Sequence, residues 1–173
     1  RWEVMGSGML ILNVDGCAKG NPGVGGGGGV LRDVTGLPLL AFSAFFGEIT
    51  SLHTEIQALL IGLQLCIHRG YGNLSVQSDS LVVVGILKRC FQCPWQIRRE
   101  AQHIWQLMDD PARFSHCYRE VNTMVDALST VGVSHPEQPI KVYDNFLAFP
   151  ALARGGVKLD RLGVPSFRRI RSL

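Results

Sequence analysis

Asp15-Gly16-Cys17-Ala18-Lys19-Gly20-Asn21-Pro22-Gly23 is the stretch that decides how this chain folds. The residues before it, Met9-Leu10-Ile11-Leu12-Asn13-Val14, form an apolar run that reads as a strand buried on both faces, with Asp15 at or near its end. Asn21-Pro22-Gly23 is a turn signal. Three more acids stand in comparable contexts. Glu55 lies one turn into an apolar-periodic helix, Asp79 follows a short strand at Leu74-Ser75-Val76-Gln77-Ser78, and Asp126 starts another helix. Gathering four carboxylates at one edge is costly, because like charges resist ionising together. A divalent cation removes that cost. Hard oxygen ligands suit Mg²⁺, and two such ions can clamp both sides of a phosphodiester during in-line hydrolysis.

The flanking residues sharpen this. His53-Thr54-Glu55-Ile56-Gln57-Ala58-Leu59, Gln77-Ser78-Asp79-Ser80 and His116-Cys117-Tyr118-Arg119-Glu120-Val121-Asn122-Thr123-Met124-Val125-Asp126-Ala127-Leu128 follow the opening stretch in order. Together the four segments resemble the motifs of type 1 ribonuclease H, over roughly residues 9–132. The form is that of the plant branch found at the end of non-LTR retrotransposon reverse transcriptases and in related stand-alone proteins. The resemblance implies an α/β, ribonuclease H-like fold. It also implies hydrolysis of the RNA strand of an RNA–DNA hybrid with two Mg²⁺ ions, for which Mn²⁺ can substitute. Asp15 would bridge both ions, Glu55 and Asp79 would complete one site, and Asp126 would help hold the other. His116 would serve proton transfer and product release. Asn21 would meet the hybrid in its minor groove, with Gly16, Cys17, Ser51 and Asn122 as further nucleic-acid contacts. Recognition of a hybrid depends on groove width and ribose 2′-hydroxyls rather than on base sequence.

Each of these residues has a plainer reading when taken singly. Asp79 can cap a helix, and Asp126 can favour a helix dipole. His116 can be a strand-end histidine with a structural hydrogen bond, Asn21 a turn residue, and His53 a surface residue at a helix start. One departure from the family matters. Asparagines usually stand three or four residues before the motif glutamate, where this chain has Leu52 and Ser51. Leu52 cannot hydrogen-bond a base edge or a ribose. Two other functions therefore stand beside the nuclease. One is a nucleic-acid-binding module, derived from a retroelement, with weak or no turnover. The other is a protein-interaction domain docking through Phe146-Leu147-Ala148-Phe149-Pro150.

Composition sets wider limits. The chain has 173 residues, is 46% hydrophobic and carries a net charge of +3, enough for one cored domain with an appendage. The charge permits nucleic-acid binding without demanding it. No stretch is long and apolar enough to span a membrane. Five cysteines without regular spacing suggest a reducing compartment, hence the nucleus or cytoplasm, and Cys90-x-x-Cys93 lacks the second pair of a zinc ribbon. The chain is expected to be a monomer, fused to or derived from a reverse transcriptase.

The periodicities predict strands at 9–15, 24–32 and 38–46, then a helix from Ser51, as N-cap, to Arg69. A strand at 73–78, helices at 80–88 and 96–108, a strand at 113–119 and a helix at 122–132 follow. The five glycines after Val24 suit a hairpin strand with bulges and close backbone approach, since no Gly-Lys-Ser/Thr follows them. The order β-β-β-α-β-α-α-β-α implies a mixed five-stranded sheet with helices on its faces. Residues 1–8 read as a linker remnant, 9–132 as the catalytic domain and 133–173 as a basic and apolar tail, loosely docked. Trp95 and Trp105 read as packing residues, near Lys88, Arg89, Arg98 and Arg99 that can grip a nucleic-acid strand.

Overall fold

A computed structural model of the chain describes residues 8–119 and 122–155. The N-terminal linker, Glu120 and Val121 of the last motif, and the basic residues Lys158, Arg161, Arg168, Arg169 and Arg171 lie outside the described residues. Three antiparallel strands open the fold: β1 (Leu10–Gly20), β2 (Gly23–Arg32) and β3 (Pro38–Ile49). Helix α1 (Ser51–His68) crosses back to β4 (Leu74–Ser78), which lies parallel to β1. Helices α2 (Leu81–Leu87) and α3 (Arg98–Leu107), β5 (Phe114–His116), α4 (Thr123–Val133) and β6 (Ile140–Tyr143) follow. The sheet order is β5-β4-β1-β2-β3-β6.

Strand alternation sorts the apolar side chains to two faces. Leu12, Val14 and Val76 pack with Ile56, Leu59 and Leu63 of α1, with α2, and with Ile104 of α3. Val30 and Ala41 pack on the other face with Met124, Val125 and Leu128 of α4. The glycine run makes both approaches possible. A β-carbon at Gly27 would lie 2.7 Å from the Cβ of Ala58 on α1, and one at Gly28 would lie 2.6 Å from the Cβ of Leu128 on α4. β2 thus presents bare backbone to a helix on each side, and between Gly25 and Gly26 its register shifts past Phe46, an extra residue on β3.

The sheet has six strands where five were expected. The sixth comes from the stretch read as a tail: Ala41 to Ala44 of β3 pair antiparallel with Tyr143 to Ile140. Ile140-Lys141-Val142-Tyr143 is four residues long, too short for periodicity to reveal. The cause lies in buried polar contacts as much as in the ladder. His135 is buried, with Nδ1 2.7 Å from the Gln138 carbonyl and Nε2 2.8 Å from Ser43 Oγ. A carbonyl only accepts, so Nδ1 carries a proton, and in the neutral ring Nε2 accepts from the Ser43 hydroxyl. That hydroxyl in turn accepts from Tyr143 Oη at 3.0 Å. Phe149 and Ala153 then bury against α4.

Smaller corrections have local causes. Thr50, not Ser51, caps α1, its Oγ1 accepting from the His53 N–H. β1 continues through Asp15 to Gly20, because its hairpin with β2 pairs without interruption up to Gly20 and Gly23. Among the described residues no helix is long and apolar enough to cross a membrane.

Candidate metal centre

The carboxylates meet where β1 and β4 run side by side. Val14 pairs with Ser78, so the residues that follow, Asp15 and Asp79, emerge next to each other. Glu55 reaches them from the first turns of α1, and its Oε2 accepts from the Gly16 N–H at 3.2 Å. That contact needs glycine: a β-carbon at Gly16 would collide with the backbone of Thr54 and Glu55. Asp15, Glu55 and Asp79 each offer one oxygen, and the three oxygens lie within 4.8 Å of one another.

The electrostatics are dominated by burial and mutual repulsion of the acids, which Arg119 opposes only in part. Asp15 is 6% exposed, and burial followed by the Asp79 charge pushes its carboxyl up to about 7. Burial followed by the Asp15 charge pushes Glu55 up to about 9. Ser129 opposes the rise at Asp15 by donating its hydroxyl to Oδ2 at 2.8 Å. Asp79 accepts from Arg119 Nε at 2.8 Å through Oδ2, while its Oδ1 is buried without a partner among the described residues. An orphaned carboxylate oxygen beside two carboxyls that resist ionising fits a hard divalent cation. Asp126 stands exposed in the first turn of α4, close enough to Asp15 for its charge to raise the Asp15 pKa. The three clustered acids do not include it.

A family model described as reverse transcriptase-like matches residues 13–132, more than half of the chain. The chain belongs to this reverse transcriptase-like, ribonuclease H family. A candidate ribonuclease H protein of Arabidopsis thaliana is 30% identical over 166 residues, which is 95% of this chain and 26% of that protein. The chain therefore spans about a quarter of the length of that relative. Among solved structures, LC11-RNase H1 in complex with RNA/DNA hybrid is 26% identical with a TM-score of 0.68, over 75% of this chain and 99% of that one. RNase H1 from the archaeon Halobacterium salinarum gives a TM-score of 0.67 at 23% identity, over 73% and 98% of the two chains, and shares the fold.

Within this ribonuclease H domain the other expected site residues fall into place unevenly. His116 ends β5 beside Ser78, its ring edge-on to Tyr118 at 5.5 Å. Asn21 is exposed in the β1–β2 turn and uses its Oδ1 to accept from the Ser51 N–H at 3.1 Å, so these two expected contacts are joined to each other. Gly16 is half-buried and packs against α1, and Cys17 is half-buried, its thiol raised chiefly by burial. Asn122 is 2% exposed and donates from Nδ2 to the Val14 carbonyl at 3.4 Å. It therefore anchors α4 to β1. Ser80, not Asp79, caps α2, which leaves the Asp79 carboxylate to the acid cluster.

His53 is not a plain surface residue, since its Nε2 lies 3.1 Å from Glu100 Oε1 and bridges α1 to α3. Leu52 packs against the main core. Trp95 is 76% exposed, against the packing expected of it, whereas Trp105 donates Nε1–H to the Leu87 carbonyl at 3.1 Å and carries Arg89 over its ring. Sequence reasoning missed Ser129 altogether. Its only signal was its place three residues after Asp126, one helical turn on.

Proposed function

We propose that this chain is a metal-dependent endonuclease that hydrolyses the RNA strand of RNA–DNA hybrids. The observation that carries the reading is the meeting of Asp15, Glu55 and Asp79 within 4.8 Å, with an Asp79 oxygen that is buried and has no partner among the described residues. The hybrid-bound LC11-RNase H1 relative supports the substrate. Asp15, Glu55 and Asp79 would hold one ion, and Asp15 with Asp126 a second. Such a pair of Mg²⁺ or Mn²⁺ ions supplies an activated water and stabilisation of the leaving 3′ oxygen.

The chain's own residues prepare that chemistry. The Gly16 N–H fixes Glu55 Oε2, and Ser129 fixes Asp15 Oδ2, so both carboxylates keep their orientation without metal. Asn21 and Ser51 hold the β1–β2 turn against the start of α1, forming one rim for the hybrid. His116, beside Ser78, is assigned the proton-carrying role, for which an imidazole is suited near neutral pH. Leu52 takes no part in contact because it packs inward, so this domain would read its hybrid with fewer polar groups than its relatives.

The test is cleavage of a labelled RNA–DNA hybrid in Mg²⁺, beside an Asp15→Asn variant. RNA-strand cleavage by the parent, abolished in the variant and absent on single-stranded RNA, is the expected result. A folded parent that cleaves nothing in Mg²⁺ or Mn²⁺ rejects the nuclease and leaves a binding module.

A further inference from the structure

We propose that Ser129 is a positioning residue of the metal centre, orienting Asp15 and joining it to the turn of α4 that presents Asp126. The inference rests on the ribonuclease reading above. Ser129 is fully buried, with Oγ 2.8 Å from Asp15 Oδ2 and 3.0 Å from the Asp126 carbonyl. A hydroxyl has one hydrogen to give, and a carboxylate is the stronger acceptor. With Oδ2 held, rotation of the planar carboxylate is restricted, and the direction of the other oxygen is set before any cation arrives.

The placement follows from the fold. Gly28 pairs with Asp15 across the hairpin, and a β-carbon there would lie 2.7 Å from the Ser129 nitrogen. Bare backbone at Gly28 therefore lets α4 settle close enough for its serine to reach the neighbouring strand. Two polar links then join α4 to consecutive residues of β1: Asn122 to the Val14 carbonyl, and Ser129 to the Asp15 carboxylate. The first holds only backbone. The second grips a metal-ligand side chain. Groups that hydrogen-bond a ligating carboxylate set its orientation, and their loss typically weakens metal affinity about 10–100-fold.

A purely structural serine would be content with the Asp126 carbonyl, a common arrangement inside helices. The experiment separates the two roles. Mn²⁺ alone is titrated calorimetrically into the full chain, without nucleic acid, for the parent, Ser129→Ala, Ser129→Cys and Asp15→Asn. Thermal midpoints in EDTA check folding. The cysteine variant keeps the shape of the side chain with a bulkier, poorly donating sulfur, so it serves if the alanine variant does not fold. Positioning predicts Mn²⁺ affinity down about tenfold in either serine variant, with the EDTA midpoint little changed. In hybrid cleavage, kcat at limiting metal should drop and recover with excess metal while KM holds. Parent-like Mn²⁺ affinity in a folded serine variant, with Asp15→Asn abolishing binding, overturns the role of Ser129 alone. A folded parent that binds no Mn²⁺ overturns the metal reading and this inference with it.

Discussion

Glu55 is the residue at which the cost of the metal-free site can be measured. Its carboxyl is raised from 4.5 to about 9, first by burial and then by Asp15. The folded chain therefore holds a proton on Glu55 at pH values where the unfolded chain has released it. Stability from this group is complete below the unfolded value and is lost as pH rises through the interval toward the folded one. In EDTA the thermal midpoint of the parent should fall between mildly acidic and mildly alkaline pH. Glu55→Gln should fall distinctly less over the same range, and saturating Mg²⁺ should flatten the parent. Parallel pH profiles for parent and Glu55→Gln in EDTA would rule out this account. Asp15, raised to about 7, adds a slope of the same sign at lower pH. Gly16 tests the geometry rather than the charge. Gly16→Ala drives a methyl into the backbone of Thr54 and Glu55, an overpacking that costs about 1–3 kcal/mol. It should also depress Mn²⁺ affinity, because it pushes α1 and its glutamate away from β1. Denaturant unfolding and metal titration of the same variant read both effects, and a variant with parental stability would contradict the clash.

At the scale of elements, the bare strand β2 decides how closely α1 and α4 can converge on the acids. Gly28→Ala would meet the Leu128 side chain and the Ser129 backbone, so α4 must shift outward. The expected loss is about 1–3 kcal/mol of stability, together with a weaker Ser129 grip on Asp15. Gly155→Ala, which meets nothing within 4 Å among the described residues, is the control and should not lower stability. If the two variants unfold at the same denaturant concentration, β2 does not set the spacing. The elements themselves were largely legible in the sequence. Short apolar runs marked β1, β3 and β4, periodicity marked α1 and α4, and turn residues separated them. The acids were legible for the same reason, since each follows or opens a recognisable run. Contacts between elements were not. That His53 reaches Glu100, that Asn122 turns inward to Val14, and that Ser129 reaches Asp15 depend on how helices dock. No local pattern encodes a meeting of residues 47, 108 or 114 positions apart. Trp95 failed for a related reason: a tryptophan more often packs than not, yet the short turn at Trp95–Ile97 sends Ile97 inward and leaves Trp95 outside.

For the whole molecule, the decisive question is where the folding unit ends. The motifs stop near residue 132, and the reverse transcriptase-like match stops there too. The packing does not. β6 covers the outer edge of β3, the His135–Ser43–Tyr143 network is buried beneath it, and Phe149 and Ala153 close the cluster over α4. Arg69 at the end of α1 also pairs with Asp144, joining the segment to the opposite helical layer. A chain cut after Val133 would expose the β3 edge, an open template for intermolecular pairing, and leave Ser43 without either partner. Such a chain should be unstable and aggregation-prone even though it keeps all four acids. Phe149→Ala isolates the packing part of this effect. Phe149 is 2% exposed, and emptying such a site typically costs about 3–5 kcal/mol. Because Phe149 packs on the helix that carries Ser129 and Asp126, the variant should also lose Mn²⁺ affinity, where Leu147→Ala, at an exposed position, should not. Equilibrium unfolding and Mn²⁺ titration of both variants decide the matter. Parental stability in Phe149→Ala would mean that residues 134–155 merely lie against the domain, and the site would then depend on the motif-bearing residues alone.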